Sequence, residues 1–171
     1  MNRQTENELV ILEEGLDLHS KGPFLSSRAY FPSGALKSET YFQNGQLHGR
    51  SCFYSEEGQV LSESWFWKGK RTGRCLQFYP SGAVYALLRY KEGMKEGLQE
   101  YFYENGQLKT SEQFSKGRLE GQSKLYWPNG QMKREACFSR GMRQSWDRMY
   151  NEKGALLEEE EYRDGICIEK I

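Results

Sequence analysis

The chain has 171 residues, 24 Lys+Arg against 24 Asp+Glu, 18 Gly and 4 Pro, and it is 14% aromatic. That length allows one ordinary domain or a short repeat array. The most apolar stretch near the start, Leu9 to Leu12, is brief and flanked by acids, which excludes a spanning helix and a signal peptide; a soluble, non-secreted, cytoplasmic protein is expected.

Residues 1 to 26 lack a regular pattern, but Leu12, Leu16 and Leu18 followed by Lys21-Gly22 read as the second half of a decayed unit, a cap preceded by a frayed or helical Asn/Glu-rich start. From residue 27 to 171 the chain is periodic. Glycines fall at 34, 58, 82, 106, 130 and 154, an interval of 24, and a second series follows at 45, 69, 93, 117, 141 and 165. A third series, Gly49, Gly73, Gly97 and Gly121, ends where Ser145 and Glu169 take over. Aromatics keep the same interval: Tyr30, Tyr54, Phe78, Phe102, Tyr126 and Tyr150 precede the first series, and Phe42, Phe66, Tyr90, Phe114, Phe138 and Tyr162 follow it. Between them stand Leu36, Val60, Val84, Leu108, Met132 and Leu156. Such recurrence marks a repeat architecture.

Each unit has room for two strands and two turns. Pro32-Ser33-Gly34 and its counterparts fit three-residue hairpin loops ending in a left-handed glycine, and Asn44-Gly45 to Asp164-Gly165 fit two-residue hairpin turns. The fold expected is all-β: an elongated antiparallel meander of six hairpin units, closed by the alternating strand Ile166 to Ile171. Parity places the aromatic before the turn, the aliphatic and the aromatic after it on one face, provided a bulge at the third glycine restores register across the second turn. The core expected is a ladder of twelve Phe/Tyr, which would explain why only 4 Ile and 3 Val are present.

The stretch Glu112 to Gly121, continued through Gln122-Ser123-Lys124-Leu125-Tyr126-Trp127-Pro128-Asn129-Gly130-Gln131-Met132, resembles the MORN repeat in its bacterial variant form, and the frame recurs at Glu39 to Gly58. The resemblance covers roughly residues 27 to 171. It implies an elongated hairpin sheet, a scaffold for protein or membrane contacts, and no enzymatic activity; some bacterial variant-repeat proteins carry an antitoxin-like label. Ser145 and Glu169 depart from the pattern at the third glycine.

No catalytic, metal or cofactor set is found. Cys52, Cys75, Cys137 and Cys167 never form CxxC, so reduced, inert thiols are expected. His19 lies in the decayed unit, and His48 shares a position with Thr72, Glu96, Glu120 and Gln144, which reads as a solvated turn. The acidic run Glu158 to Glu161 alternates between faces, and no phosphate-loop motif accompanies the glycines.

Two features suggest a partner. Residues 1 to 26 carry −3 and residues 150 to 171 carry −4, leaving +7 in the middle. The second turns hold 13 Lys+Arg against 5 Asp+Glu, densest at Lys68, Lys70, Arg71 and Arg74, a basic rim able to attract anionic lipid head groups or to keep the turns solvated. Tyr41, Trp65, Tyr79, Tyr103 and Trp127 lie at odd offsets from the ladder and would form a second, aromatic face of the type that dominates protein contacts. A protein-interaction scaffold, with a partner or a second copy, is the first reading. A peripheral adaptor on anionic membranes is the alternative. Nucleic acid is disfavoured because Glu39, Glu63 and Glu135 interleave with the aromatics.

Overall fold

The computed structural model describes residues 24–170, so most of the expected capping unit, with His19, lies outside the described residues. Every element among the described residues is a strand. In chain order these are β1 (Phe24–Tyr30), β2 (Leu36–Gln43), β3 (Gln46–Tyr54), β4 (Val60–Trp67), β5 (Lys70–Phe78), β6 (Val84–Lys91), β7 (Met94–Lys95), β8 (Gly97–Phe102), β9 (Leu108–Ser115), β10 (Arg118–Tyr126), β11 (Met132–Ser139), β12 (Met142–Tyr150), β13 (Leu156–Arg163) and β14 (Ile166–Lys170). Each pairs antiparallel with its neighbours in sequence, in one open sheet. β7 and β8 are two halves of one strand position beside β6. At about 4.8 Å per strand the sheet runs for about 60 Å.

Both kinds of turn follow from their residues. In the first, Gly34, Gly58, Gly82, Gly106, Gly130 and Gly154 have φ between 81° and 89°. The loop closes through bonds such as Tyr79 N–H to Ala83 O at 2.8 Å and Gly82 N–H to Tyr79 O at 2.9 Å, a three-residue hairpin loop in all six units. In the second, both central residues are left-handed, including Lys68, Glu92, Lys116 and Arg140, for which this conformation is costly. A stitch between units offsets that cost: the N–H of Gly69, Gly93, Gly117, Gly141 and Gly165 donates to the carbonyl of Leu47, Arg71, Lys95, Leu119 and Arg143 in the preceding unit.

The six expected aromatic–aliphatic pairs form as read, from Tyr30 opposite Leu36 to Tyr150 opposite Leu156. The single twelve-member ladder does not. Next to each of these pairs one residue is inserted: Tyr54 faces Val60 but Phe53 faces Ser62, leaving Leu61 over. The same happens at Lys37, Tyr85, Lys109, Lys133 and Leu157. One extra residue reverses the alternation of faces. An irregularity does sit at the third glycine, with Gly49, Gly73, Gly97 and Gly121 left-handed and Ser145 holding the same conformation at φ 61°. It inserts two residues, however, and so leaves parity unchanged. At Glu169 the shift shrinks to one residue, Ile168. The outcome is two ladders of six. Phe42, Phe66, Tyr90, Phe114, Phe138 and Tyr162 share one face, called the front, and Tyr30, Tyr54, Phe78, Phe102, Tyr126 and Tyr150 the back.

With rings on both faces of a single layer, none of the twelve is fully covered. What they cover is a spine of smaller residues. Ser51, Cys75, Gln99, Ser123 and Asp147, at one position of successive units, are all buried on the front face, and Ser64, Leu88 and Ala136 lie buried beside them. The spine has no signature in the sequence, because its members share a position rather than a chemistry or a size.

Four polar members of the spine, Ser51, Ser64, Gln99 and Asp147, are hydrogen-bonded, as burial favours. Thr40 Oγ1 lies 3.0 Å from Ser51 Oγ, and Ser64 Oγ lies 3.0 Å from Cys75 Sγ. Asp147, with its side chain 3% exposed, receives Arg134 Nε at 2.7 Å and Nη2 at 2.6 Å and pairs with Arg143 Nε at 3.2 Å. The bond to Asp147 outweighs burial and raises the Arg134 pKa above its ordinary value. Both guanidiniums keep about a third of their surface in water, so the loss on Asp147→Ala is less than for a wholly buried pair. We expect about 2 kcal/mol, read as a lower urea midpoint at unchanged slope.

Candidate interaction surfaces

The basic rim is divided by the register. Lys68 and Lys70 are exposed at the second turn of their unit. Arg71 lies on the front face, opposite Phe66, while Arg74 lies on the back face opposite Arg89. The four candidates therefore do not converge on one anion.

His48 is 1% exposed rather than solvated, a correction to the sequence reading. Its ring centroid lies 4.4 Å from that of Trp67, and burial, followed by the charge of Lys68, holds its pKa below the ordinary histidine range. Its periodic counterparts show what the position does. Glu96, Glu120 and Gln144 accept from the backbone N–H of Lys116, Arg140 and Asp164, the left-handed turn residues of the following unit. At this position Glu96, Glu120 and Gln144 act as turn braces between units.

All four cysteines are free thiols, with Cys52 and Cys75 buried and Cys167 exposed. Burial, opposed by Arg50 and aided by Glu63, pushes the Cys52 pKa up to about 11, so the nucleophilic thiolate is scarce at neutral pH. Among the described residues no group of three His, Cys, Asp or Glu could hold a metal ion.

The aromatic candidates likewise divide between faces. Tyr41 and Trp65 project from the back, Trp65 opposite Arg50 and Thr72. Trp65 is 3% exposed and acts in packing. Tyr79, Tyr103 and Trp127 stand in a row at the first-turn rim of the front face, half-buried. The row is tied together by bonds that reach one unit ahead: Tyr79 OH donates to Phe102 O at 2.9 Å, Tyr103 OH to Tyr126 O at 2.8 Å and Trp127 Nε1 to Tyr150 O at 3.1 Å.

In four of the six first hairpins the inserted residue now has a role, because it packs over the ring of its own unit; Ser55, beside inserted Leu61, and Asn151 offer no ring. Lys37 lies over Phe31, Lys109 over Tyr103 at 5.5 Å, Lys133 over Trp127 at 4.2 Å, and Tyr85 meets Tyr79 edge to face at 5.2 Å. The last unit breaks the row with Asn151. Beside Trp127 a shallow cavity of about 490 Å³ opens there, lined by Trp127, Asn151, Glu152, Lys153 and Leu157. Leu157, the inserted residue, has no ring to cover and is 63% exposed.

The back face is laced by ion pairs across strands: Arg28 with Glu39 at 2.6 Å, Arg50 with Glu63 at 2.8 Å, Arg89 with Glu100 at 3.2 Å and Arg148 with Glu159 at 3.0 Å. Each is partly solvated, so they contribute more to solubility and register than to stability.

One layer of 24-residue hairpin units, joined edge to edge with side chains in rows, defines a repeat scaffold. The protein belongs to the MORN repeat variant family, whose model matches residues 26–46, 47–68, 95–116 and 119–139. The intervening residues 69–94 and the stretch 140–165 keep the same hairpin geometry, and the shift at Glu169 is one residue shorter. No curated protein matches the chain.

Proposed function

We propose that the protein is a non-enzymatic scaffold that contacts a protein partner through the first-turn row Tyr79, Tyr103 and Trp127 on the front face. The observation that carries this reading is the break in the row at Asn151, which leaves Trp127 beside an open cavity and Leu157 projecting into water. Large, stiff, partly polar rings next to an uncovered aliphatic group are the composition of an interface hot spot. A second copy of the chain is one such partner. The test is affinity capture with the full chain as bait. Leu157→Asp combined with Trp127→Phe should leave the circular dichroism spectrum unchanged and abolish recovery of a partner held by the wild type, whereas Lys116→Ser on the opposite rim should not. Recovery of the same partner by the cavity variant would overturn the reading.

The alternative, a peripheral adaptor on anionic membranes, is supported by the exposure of Lys68, Lys70, Lys116, Arg118 and Arg140 along the second-turn rim. It requires co-sedimentation with vesicles containing anionic lipid that weakens as salt rises. No retention at low salt removes it.

A further inference from the structure

Five units carry, at one position on the front face, Leu47, Arg71, Lys95, Leu119 and Arg143. Each cation of this row lies on rings. Arg71 Cζ is 5.6 Å from the centroid of Phe66 and 5.1 Å from that of Tyr90, Lys95 Nζ is 4.8 Å from Phe114, and Arg143 Cζ is 5.0 Å from Tyr162. Arg143 is neutralised within the chain by Asp147 at 3.2 Å and also donates to Tyr162 OH. The counterparts of Asp147 in the units of Arg71 and Lys95 are Cys75 and Gln99, which carry no charge. Among the described residues no carboxylate reaches ion-pair distance of either cation. Lys95 donates instead to Tyr101 OH at 3.1 Å, with Glu112 acting on it from farther away. Arg71 Nε is buried without an acceptor.

We propose that Arg71 and Lys95, held flat on Phe66, Tyr90 and Phe114, form a docking surface for an acidic, extended polypeptide segment. The proposal rests on the reading of the chain as a protein-binding scaffold and adds a second contact surface with a defined chemistry. Two strand spacings separate the cations, about 10 Å, which matches carboxylates three residues apart in an extended polyproline-II segment, where about 3.1 Å per residue and three residues per turn put them on one side. Stacked base recognition is disfavoured because the cations already occupy the ring faces. A bilayer is disfavoured because the exposed turn residue Glu92 lies on the rim between the two units and would meet the same negative surface, whereas a narrow peptide can run past it.

The test is fluorescence anisotropy of a labelled ten-residue probe with Glu at every third position and Ser elsewhere, titrated with the full chain. Binding should weaken at least tenfold in Arg71→Gln/Lys95→Gln and stay within twofold of wild type in Arg118→Gln/Arg140→Gln, which removes the same charge elsewhere on the rim. The charge-preserving pair Arg71→Lys/Lys95→Arg should retain it, which separates loss of charge from misfolding. No binding by the wild type, or equal loss in the Arg118/Arg140 control, overturns the proposal, as does binding of anionic vesicles, and not of the peptide, through Arg71 and Lys95. Because Leu157→Asp/Trp127→Phe leaves this surface intact, that variant should bind the peptide normally, so the cavity reading and this one can fail independently.

Discussion

Replacing Gln99 by Leu is expected to cost about 3 kcal/mol and to lower Tm by about 8 °C. Gln99 is fully buried at the gap between β7 and β8. Its Oε1 accepts from Arg89 N–H at 3.0 Å, and its Nε2 donates to Arg89 O at 3.1 Å and to the carbonyls of Glu96 and Gly97 at 3.2 Å. The side-chain amide thus takes the place of ladder bonds missing where β6 passes from β7 to β8. Leu keeps the volume but takes the acceptor from Arg89 N–H and this donor from the carbonyls of Glu96 and Gly97, each with a desolvation penalty, while Arg89 O keeps Glu96 N–H at 3.0 Å. Because the units couple only to their neighbours, a weak junction in mid-array should split urea unfolding into two steps. Hydrogen exchange at the Arg89 amide should accelerate in the variant. Single-step unfolding at the wild-type midpoint would show that the ladder closes without this amide.

Trp65→Ala should be as damaging, about 3 kcal/mol, although sequence reasoning places Trp65 on a partner-binding face. The ring is 3% exposed, on the back of the sheet. Among the described residues no second layer exists to collapse onto the space it would leave, so the cavity remains. Differential scanning calorimetry should find a clear loss of Tm, with no such loss in Tyr79→Phe, which keeps its ring and loses the hydroxyl bond to Phe102 O. A wild-type Tm in Trp65→Ala would return that residue to the list of partner contacts.

The difference between the two readings of Trp65 lies in one residue per hairpin. Pattern and glycine spacing determine turns strongly, since Asn44-Gly45 and Pro80-Ser81-Gly82 each have few conformations open to them. An inserted residue such as Leu61 or Tyr85 has no such signature, because a bulge of this kind tolerates many side chains. Reading strict alternation through it assigns Phe66 and Trp65 to the wrong faces. Gln99 and His48 were opaque for a related reason: a polar side chain that bonds backbone in the next strand, as Gln99 does, or packs against a ring, as His48 does against Trp67, looks, in one dimension, like a solvated one.

The sequence by itself determined the unit length, the number of hairpins, both turn types and the aromatic–aliphatic pairs, because these are local and repeat six times. The tertiary structure alone decided which residues share a face, where the small buried spine runs, and which cations the chain neutralises internally. Those properties depend on register summed along the sheet, where a single extra residue inverts everything that follows it.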